Sequence, residues 1–491
     1  MIEYRHVRDP FPYQKEDFEA SRDKEFWGIL WEPGLGKSKI TIDTASWLFQ
    51  NGKIDGWVIV APNGVHRNWV TDEIPKHLGV PAAMMVWYTA GSKKKSTQEV
   101  LSRLIHHKGL SILAMSYDAT MTEDGRNALA RFLKARRCLF SADETPRIKN
   151  PSAKRTRRLL KAAQLAPYRR ILTGTPVTNS PFDLYSQLKF LDEKIWEQHG
   201  IGGYVEFKTM FGVFERGFVG SGQNRREFPK LAGYRNLELM NKILASVSTR
   251  RTKDEELQLP PKLYTRRTFE LTKRQRTIYD DLREQFIVFL EQGTVTADLA
   301  ITRMLRLQQA TCGYLPVDNP DHHVLVDIDN ENPRLELLKE LCEDLPHKAI
   351  IWCRFRRDVD LIMDALAGRA VRYDGLCSDE QLAQSIDDFR KDKQFFVGNP
   401  ALGAEGITLT EARTVIYYSN SFNLSQRLQS EDRAHRIGQE HPVNYIDIVA
   451  EDTVDQHIAE MLVRKMDLAA MITGDSVRTW LRGPGEPHKS I

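Results

Sequence analysis

The chain has 491 residues, which is too long for a single hydrophobic core and implies two to four domains. Hydrophobic residues make up 41% of it and charged residues 28%, and neither a membrane-length apolar run nor a signal-peptide core is present, so we expect a soluble protein with no membrane partner. The net charge of +4 is too small by itself to imply a polyanionic partner.

Two stretches of the chain alternate short β-rich runs with longer segments of helical period. This alternation predicts parallel sheets with crossover helices, and therefore an α/β fold with two parallel-sheet lobes. The runs of the first stretch are WVIVAP (57–62), LSILAMSY (110–117), CLFSAD (138–143) and RRILTGTP (169–176). Those of the second are KAIIWCRF (348–355), FFVGNP (395–400), TVIYYSN (414–420) and VNYIDIVA (443–450).

The segment between these stretches is rich in helix formers and aromatics, which predicts helical insertions, with a break at QLPPK (258–262) and an exposed loop at DNPDHH (318–323). The run TVDQHIAEMLVRKMDLAAMI has helical spacing and predicts a helix that braces the lobes, and GPGEPHKSI is expected to fray. The five scattered cysteines are interpreted as reduced core thiols. The predicted domains are lobe 1 at 1–190, insertions and connection at 191–335, lobe 2 at 336–470 and a tail at 471–491.

The segment WEPGLGKS, from Trp31 to Ser38, has the features of a phosphate-binding loop. Gly34 and Gly36 leave the backbone free to wrap a polyphosphate, and Lys37 supplies positive charge. The hydroxyl of Ser38 would bind Mg²⁺. The strict pattern has glycine where this chain has Trp31, so on these residues alone a simple turn and helix cap stays open.

The apolar run CLFSADET ends in two carboxylates, Asp143 and Glu144. At the end of a buried strand, Asp143 would hold the same Mg²⁺ as Ser38 through its water shell. Glu144 is then left to orient the attacking water. The sequence therefore predicts a site for hydrolysis of a nucleotide.

Hydrolysis of this kind needs further positive charge on the γ-phosphoryl oxygens. In QSEDRAHRIGQ, Arg433 and Arg436 lie three residues apart and would share one helical face. By spacing alone, a salt-bridge network with Glu431 and Asp432 is the alternative.

The segment 145–170 carries nine Lys or Arg residues and no acidic residue. On a helix, Lys154, Arg158 and Lys161 share one face, which suits a phosphate backbone. A solvated helix face is the alternative and stays open.

Eight segments, in order along almost the whole chain, are similar to the motifs of the Swi/Snf-type ATPases of helicase superfamily 2. The most specific is QSEDRAHRIGQ. The others are PYQKEDF (12–18), WEPGLGKS, APNGVHRNWVTDE (61–73), SADETPRIKNPSAKR, LTGTPVTNSPFDLYSQLKFL (172–191), RRTKDEELQLPPK (250–262) and LGAEGITLTEA (402–412).

The resemblance implies two RecA-like lobes, ATP and Mg²⁺ as cofactors, and catalytic roles for Lys37, Glu144, Arg433 and Arg436. It places the ATP contacts at Gln14, Pro33, Gly34, Leu35, Gly36, Lys37, Ser38, Lys39 and Gly406. It places backbone-directed DNA contacts at Asn68, Trp69, Ser116, Tyr117, Lys149, Lys154, Arg158, Arg354, Arg356 and Thr408. For Trp69, a core aromatic is the alternative.

The chain departs from the family pattern at two positions. Pro146 replaces a histidine that in many relatives links the ATP site to the LTGTP motif, so this coupling is left to Arg147, Gln187 or a neighbour. Thr408 stands where relatives often have asparagine, while the flexible Gly403 and Gly406 are kept.

The resemblance implies a DNA-dependent ATPase that translocates on double-stranded or branched DNA, acts as a monomer, and remodels branched DNA or displaces bound proteins in replication, recombination or repair. The economy of the chain suggests a bacterial or phage origin and hence the cytoplasm, or the nucleus if it is eukaryotic. A strand-separating helicase is an alternative, although no aromatic hairpin is evident in 185–335 as its wedge. A nucleotide-gated DNA-binding module is another.

Overall fold

The computed structural model describes residues 4–219, 226–291, 297–318, 323–403 and 407–475. These residues form two compact units. The first takes its described residues from 4–212, 234–258 and 468–475, and the second takes them from 213–233 and 259–467.

The strands are numbered in chain order. They are β1 Phe26–Trp31, β2 Gly56–Ala61, β3 Ala82–Trp87, β4 Leu110–Ser116, β5 Cys138–Asp143, β6 Tyr168–Leu172, β7 Gly212–Val219, β8 Arg226–Tyr234, β9 Ser248–Arg251, β10 Lys262–Phe269, β11 Tyr314–Asp318, β12 His323–Asp327, β13 Ala349–Trp352, β14 Ala370–Tyr373, β15 Phe395–Gly398, β16 Thr414–Tyr417 and β17 Val443–Ala450.

The α-helices are numbered in the same way. They are α1 Pro12–Ser21, α2 Lys37–Gln50, α3 Val65–Asn68, α4 Ile74–His77, α5 Lys95–Ile105, α6 Glu123–Ala135, α7 Lys154–Ala163, α8 Leu184–Leu191, α9 Tyr204–Phe211, α10 Leu237–Ser246, α11 Lys253–Glu256, α12 Lys273–Glu291, α13 Ala297–Thr311, α14 Pro333–Asp344, α15 Arg356–Ala365, α16 Asp379–Lys391, α17 Pro400–Gly403, α18 Leu424–Glu431 and α19 Val454–Thr473. A π-helical turn, Trp69–Glu73, joins α3 to α4.

The first unit is built on a parallel sheet in the order β3-β4-β2-β5-β6-β1-β9. Its central strands β2, β4 and β5 are buried along their whole length, which is why they are continuous apolar runs in the sequence. Successive side chains enter opposite cores: Val58 and Val60 pack on one face, and Trp57 and Ile59 on the other.

The second unit is built on a parallel sheet in the order β10-β17-β16-β13-β15-β14. Its strands also alternate between two cores, with Ile351 and Val397 on one face and Ile350 and Phe396 on the other. Two sheets of this kind confirm the α/β fold with two parallel-sheet lobes. Every strand expected from an apolar run is present.

The prediction that the middle of the chain is helical insertions was incomplete. Helices α9 to α14 are there, but β9 joins the first sheet, β10 joins the second, and β7 with β8 and β11 with β12 form separate two-stranded sheets. The β7 and β8 strands carry exposed phenylalanines, so the expectation that no aromatic hairpin lies in this region was wrong. Most of the DNPDHH loop lies outside the described residues.

The predicted last helix is α19, and it contributes to the cores of both units. Val454, Ile458 and Leu462 pack in the second unit, and Leu468 and Ile472 pack in the first. The GPGEPHKSI tail lies outside the described residues. In the part of the chain that the structure describes, no helix combines the length and the apolar character needed to cross a membrane.

The five cysteines are all free thiols, as the sequence indicates. Cys138, Cys312, Cys342 and Cys353 are buried, and Cys377 is half-buried.

Candidate nucleotide and DNA site

The WEPGLGKS segment is the turn between β1 and α2, at the carboxyl edge of the first sheet. Gly34 and Gly36 have φ angles of 90° and 85°, which residues other than glycine rarely adopt. A Cβ atom at Gly36 would also lie 2.3 Å from Nε2 of Gln14. The loop therefore requires glycine at Gly36 for both conformation and space.

Gln14 holds this loop from α1. Its Nε2 donates to the carbonyl oxygen of Leu35 at 2.9 Å, and its Oε1 accepts from the N–H of Phe11 at 3.1 Å. The Tyr13 hydroxyl donates to the same Leu35 carbonyl at 3.0 Å. Gln14 thus positions the loop backbone, and its predicted contact with adenine stays a prediction.

The first turn of α2 carries the residues expected to meet the phosphates. Lys37 Nζ donates to the Trp31 carbonyl oxygen at 3.0 Å, across the mouth of the loop. Lys39 differs from the prediction, because its ammonium is buried and pairs with Asp43 at 2.7 Å. Only the backbone N–H of Lys39 is left for a phosphate.

Asp143 ends β5, and only β6 lies between β5 and β1, the strand that leads into the loop and α2. Both of its carboxylate oxygens accept hydrogen bonds: Oδ2 from Nε1 of Trp69 at 3.0 Å, and Oδ1 from the N–H of Glu144 at 3.0 Å. Burial raises the pKa of Asp143, whereas the Trp69 bond and the charge of Lys37 lower it. A buried, fixed carboxylate of this kind favours a bound cation.

Glu144 follows with a φ of 52° and a ψ of 57°, in the left-handed region. This conformation costs a non-glycine residue about 1–2 kcal/mol and is concentrated at functional sites. The strained backbone turns the chain directly after Asp143.

Trp69 is a core residue, so its prediction as a DNA contact was wrong. It is 1% exposed and packs edge-on against Trp57, with ring centroids 5.8 Å apart. Its π-helical turn also carries Glu73, whose pKa is raised chiefly by burial and lowered by the neighbouring Ser38 side chain. The turn therefore positions Asp143 and places a carboxylate near Ser38, the other residue expected to hold Mg²⁺.

Replacing Trp69 by phenylalanine is expected to raise the Mg²⁺ concentration needed for ATP hydrolysis by about 10- to 100-fold, the usual loss of metal affinity on removing a residue that orients a metal ligand. The ring volume is largely kept, while the hydrogen bond to Asp143 is lost. The measurement is the Mg²⁺ concentration at half-maximal ATPase rate.

The matched control is Trp57→Phe, because Trp57 lies in the same core but donates its N–H to Ser141 at 3.0 Å. This variant should share any loss of stability without the change in Mg²⁺ dependence. Equal Mg²⁺ dependence in the two variants would contradict the assignment.

A hydrogen-bonded chain links the Asp143 turn to the LTGTP motif. The Thr145 hydroxyl donates to Oε1 of Gln187 at 2.7 Å, and Nε2 of Gln187 donates to the carbonyl oxygens of Pro176 and Asp183, each at 2.7 Å. Gln187 is fully buried. Of the candidates named for the link that Pro146 removes, the structure supports Gln187, reached through Thr145.

Arg250, the first residue of the RRTKDEELQLPPK segment, connects the loop strand to the same motif, a contact that was not predicted. Its Nη1 donates to the carbonyl oxygens of Leu30 at 2.6 Å and Gly174 at 3.0 Å. Its Nη2 pairs with Asp475 at 2.8 Å. Gly174 must be glycine, because a Cβ there would lie 2.7 Å from Cδ of Pro33.

In the second unit, Arg433 and Arg436 do not share a helical face as predicted, because α18 ends at Glu431. The Arg433 carbonyl accepts from the N–H of Leu409 instead of continuing the helix. Both guanidinium groups nevertheless point to one segment: Arg433 Nη1 donates to the Ile407 carbonyl at 2.9 Å, and Arg436 Nη1 to the Thr408 hydroxyl at 2.9 Å.

The alternative for Arg433 and Arg436 was a salt-bridge network with Glu431 and Asp432, but the ion pairs of Glu431 are made with other residues. Glu431 is fully buried and pairs with Arg427 at 2.9 Å and Lys262 at 3.1 Å. Arg433 is buried, whereas Arg436 is half-exposed. Arg436 is therefore the more accessible cation of the pair.

The predicted DNA contacts of the first unit divide into inward and outward residues. Ser116 and Tyr117 are buried, so their assignment was wrong: the Ser116 hydroxyl accepts from the N–H of Ala119, and the Tyr117 hydroxyl donates to the Asp143 carbonyl at 2.7 Å. Lys149 Nζ donates a hydrogen bond to the Thr178 hydroxyl at 2.5 Å. Asn68 is exposed.

The basic segment after Asp143 is only partly a surface. Lys154 and Lys161 are exposed on α7, and Arg158 is half-buried with its Nη1 on the Met121 carbonyl at 2.8 Å. Arg170 is fully buried and donates to backbone carbonyls, including that of Lys24 at 2.8 Å. Arg170 therefore stabilises the fold.

In the second unit, Arg354 and Thr408 also face inward. Arg354 hydrogen-bonds to the Gln308 side chain, and burial lowers its pKa. Thr408 accepts from Arg436. Arg356 is exposed at the start of α15 and borders a cavity of about 370 Å³ with Asp374 and Asn399. The predicted ATP contact Gly406 lies outside the described residues.

The residues present fit Mg²⁺. The Ser38 hydroxyl and the Asp143 carboxylate are hard oxygen donors, and Mg²⁺ on a nucleotide is usually held by one or two carboxylates together with phosphates and waters. The fixed orientation of Asp143 by Trp69 and Glu144 is the arrangement expected of a metal ligand.

The fold and the site define a phosphate-loop nucleotide-binding protein built on two parallel α/β sheets. The sequence profile of the SNF2-related domain matches residues 18–313, and that of the helicase conserved C-terminal domain matches residues 333–438. The chain belongs to the SNF2-related family, which confirms the resemblance to the Swi/Snf-type ATPases.

Its relatives include a probable chromatin-remodeling complex ATPase chain of Oryza sativa subsp. japonica, 26% identical over 90% of this chain and 38% of that protein. The ISWI chromatin-remodeling complex ATPase ISW2 of Saccharomyces cerevisiae is 27% identical over 90% of this chain and 38% of that protein. The chain thus spans well under half the length of these two relatives.

Among solved structures, the Sulfolobus solfataricus SWI2/SNF2 ATPase core in complex with dsDNA is similar. It is 22% identical, with a TM-score of 0.42, over 97% of this chain and 95% of that chain.

Proposed function

We propose that this chain is a DNA-dependent ATPase that translocates along duplex DNA and thereby remodels branched DNA or displaces bound proteins in replication, recombination or repair. The observation that carries the proposal is the buried chain from Asp143 and Glu144 through Thr145 to Gln187 and Pro176. It ties the hydrolytic turn to a loop whose Thr178 binds Lys149. Family membership supports the same activity.

In this mechanism the loop N–H groups and Lys37 bind the phosphates, and Gln14 keeps the loop in shape. Ser38 and Asp143 would hold Mg²⁺, which when bound neutralises charge on the β- and γ-phosphates. Glu144 orients the attacking water and accepts its proton. Arg433 and Arg436 supply the remaining positive charge to the γ-phosphoryl group.

Translocation requires the nucleotide to favour one arrangement of the two lobes over another, since a ligand shifts an equilibrium only by its differential affinity. The DNA grips would contact the backbone, because a motor must pass over any sequence. The exposed candidates are Asn68, Lys154, Lys161 and Arg356.

The experiment that tests the proposal compares ATPase rates with single-stranded, duplex, forked and four-way DNA and with RNA. Stimulation by duplex DNA, together with displacement of a third strand from a triplex, is the expected result. A rate unchanged by any DNA would instead favour a nucleotide-gated binding module.

Replacing Lys154, Arg158 and Lys161 together by alanine is expected to weaken duplex binding and flatten its salt dependence. Each lost phosphate contact should reduce the slope of log K against log salt by about 0.9. Because Arg158 is half-buried on the Met121 carbonyl, most of the effect should come from the two lysines. The measurement is a salt titration of the dissociation constant.

The control replaces two other exposed lysines of the same unit, Lys108 and Lys134. They precede β4 and β5 and so lie toward the opposite edge of the sheet from the nucleotide loop. If both variants had the same salt slope as the wild type, α7 would be a solvated face.

A strand-separating helicase is the second candidate function. The exposed phenylalanines of β7 and β8 favour it, because strand separation needs a wedge. Unwinding of a tailed duplex beside triplex displacement would distinguish it from translocation alone.

A further inference from the structure

The two-stranded sheet of β7 and β8, here called the aromatic hairpin, pairs with no other described strand. Six residues connect its strands, too few for a parallel crossover, so the strands are antiparallel. Between 213 and 218 and between 227 and 232, every residue is exposed except Gly217. The aromatic hairpin therefore presents both of its faces to solvent.

The side chains of the aromatic hairpin can be assigned to faces. Residues at alternate positions share a face, which groups Phe214, Arg216 and Phe218. Arg216 pairs with Glu227 at 3.5 Å, so Glu227 belongs to the same face. Phe218 lies on this face and is 50% exposed.

The opposite face carries Phe228 and Lys230. A Cβ atom on Gly217 would lie 2.9 Å from the Phe228 ring and 3.0 Å from Cβ of Lys230. Both residues therefore lie on β8 next to Gly217 of β7 and share its face. Phe228 remains 41% exposed. One phenylalanine ring is thus displayed on each face, close to the end of the aromatic hairpin.

The charge of this segment indicates what binds the rings. Residues 212–234 contain four Lys or Arg and two Glu, so the segment that carries the exposed aromatic rings has an excess of positive charge in its sequence. Aromatic rings beside cations are the usual arrangement for stacking on nucleobases while the backbone is held. An apolar protein groove would gain nothing from the added cations.

We infer that the aromatic hairpin contacts the branch point of DNA, with Phe218 and Phe228 stacking on bases exposed where the strands diverge. Lys230 and Arg216 contact the neighbouring phosphates. The inference rests on the proposed function and narrows its substrate to branched DNA, because a continuous duplex offers no base face for stacking.

The test uses the full chain and a fork with 2-aminopurine at the junction, with an unbranched duplex as reference, and requires no ATP. The wild type should prefer the fork and change the 2-aminopurine fluorescence. Phe218→Ala/Phe228→Ala should lose roughly tenfold or more of the fork preference and most of the fluorescence change, since stacking contributes strongly for each base. Affinity for the unbranched duplex should stay within about twofold.

Two further variants separate stacking from folding. Phe218→Tyr/Phe228→Tyr keeps both rings and should keep the fork preference. Val205→Ala removes exposed apolar surface on α9, outside the aromatic hairpin, and should behave as the wild type.

The inference is overturned if the 2-aminopurine fluorescence of the fork is unchanged by wild-type binding, a result independent of any variant. It is also overturned if the alanine pair keeps the fork preference. Failure of the proposed function would be recognised by a different result, namely that no DNA stimulates the wild-type ATPase.

Discussion

Glu144→Gln is expected to abolish ATP turnover while ATP and DNA binding persist. Glutamine has nearly the same shape, so it can occupy the left-handed position at φ 52° and leave the N–H bond to Asp143 in place. It cannot accept a proton from water, and loss of a general base typically costs about 10²- to 10⁴-fold in rate. The measurements are steady-state ATPase rates and equilibrium binding of ATP and duplex DNA.

Glu73→Gln is the matched control, because it removes a half-buried carboxylate near Ser38 in the same site. Its effect on turnover should be much smaller if Glu144 acts on water rather than through charge alone. If Glu144→Gln also lost ATP binding, Glu144 would be a binding residue and its assigned role would be wrong.

Arg436→Ala is expected to reduce hydrolysis by about 10³- to 10⁵-fold, the range for loss of an arginine that stabilises the transferring phosphoryl group. Among the described residues, its guanidinium donates only to the Thr408 hydroxyl at 2.9 Å and the Ile407 carbonyl at 3.4 Å, and the residue is half-exposed. The fold should therefore tolerate the change. Single-turnover hydrolysis, DNA affinity and the melting temperature are the measurements.

Arg433→Ala provides the comparison, because Arg433 is buried and its side chain donates to the Gln429 and Ile407 carbonyls. It should lower the melting temperature as well as the rate, whereas Arg436→Ala should affect the rate alone. A normal rate in the Arg436 variant would leave Arg433 as the better candidate for the catalytic cation.

The sheets could be predicted from the sequence wherever burial on both faces makes a strand continuously apolar. The run CLFSAD coincides with β5, and VNYIDIVA coincides with β17. The glycines of the phosphate loop were equally readable, because their left-handed conformations leave little choice of residue. These features are encoded in consecutive residues.

Features that depend on distant partners could not be predicted in this way. The strand β9 has the sequence STRR and is held in the sheet by pairing with β1. Trp69 has the spacing of a DNA-contact motif, and only the folded chain shows its N–H on Asp143. The end of α18 at Glu431 was likewise not predicted, and two residues later the Arg433 carbonyl accepts from the N–H of the distant Leu409.

The place of β1 between β6 and β9 has a consequence for synthesis on the ribosome. The strand that leads into the phosphate loop is complete at Trp31, but its neighbour β9 ends only at Arg251. The partner of the Arg250 side chain, Asp475, is synthesised later still. At about 5–20 residues per second, the edge of β1 that pairs with β9 stays unpaired for roughly 10 to 45 seconds. An apolar strand edge is a template for aggregation. A nascent or truncated chain ending before Ser248 is therefore expected to need chaperone protection that the finished protein does not.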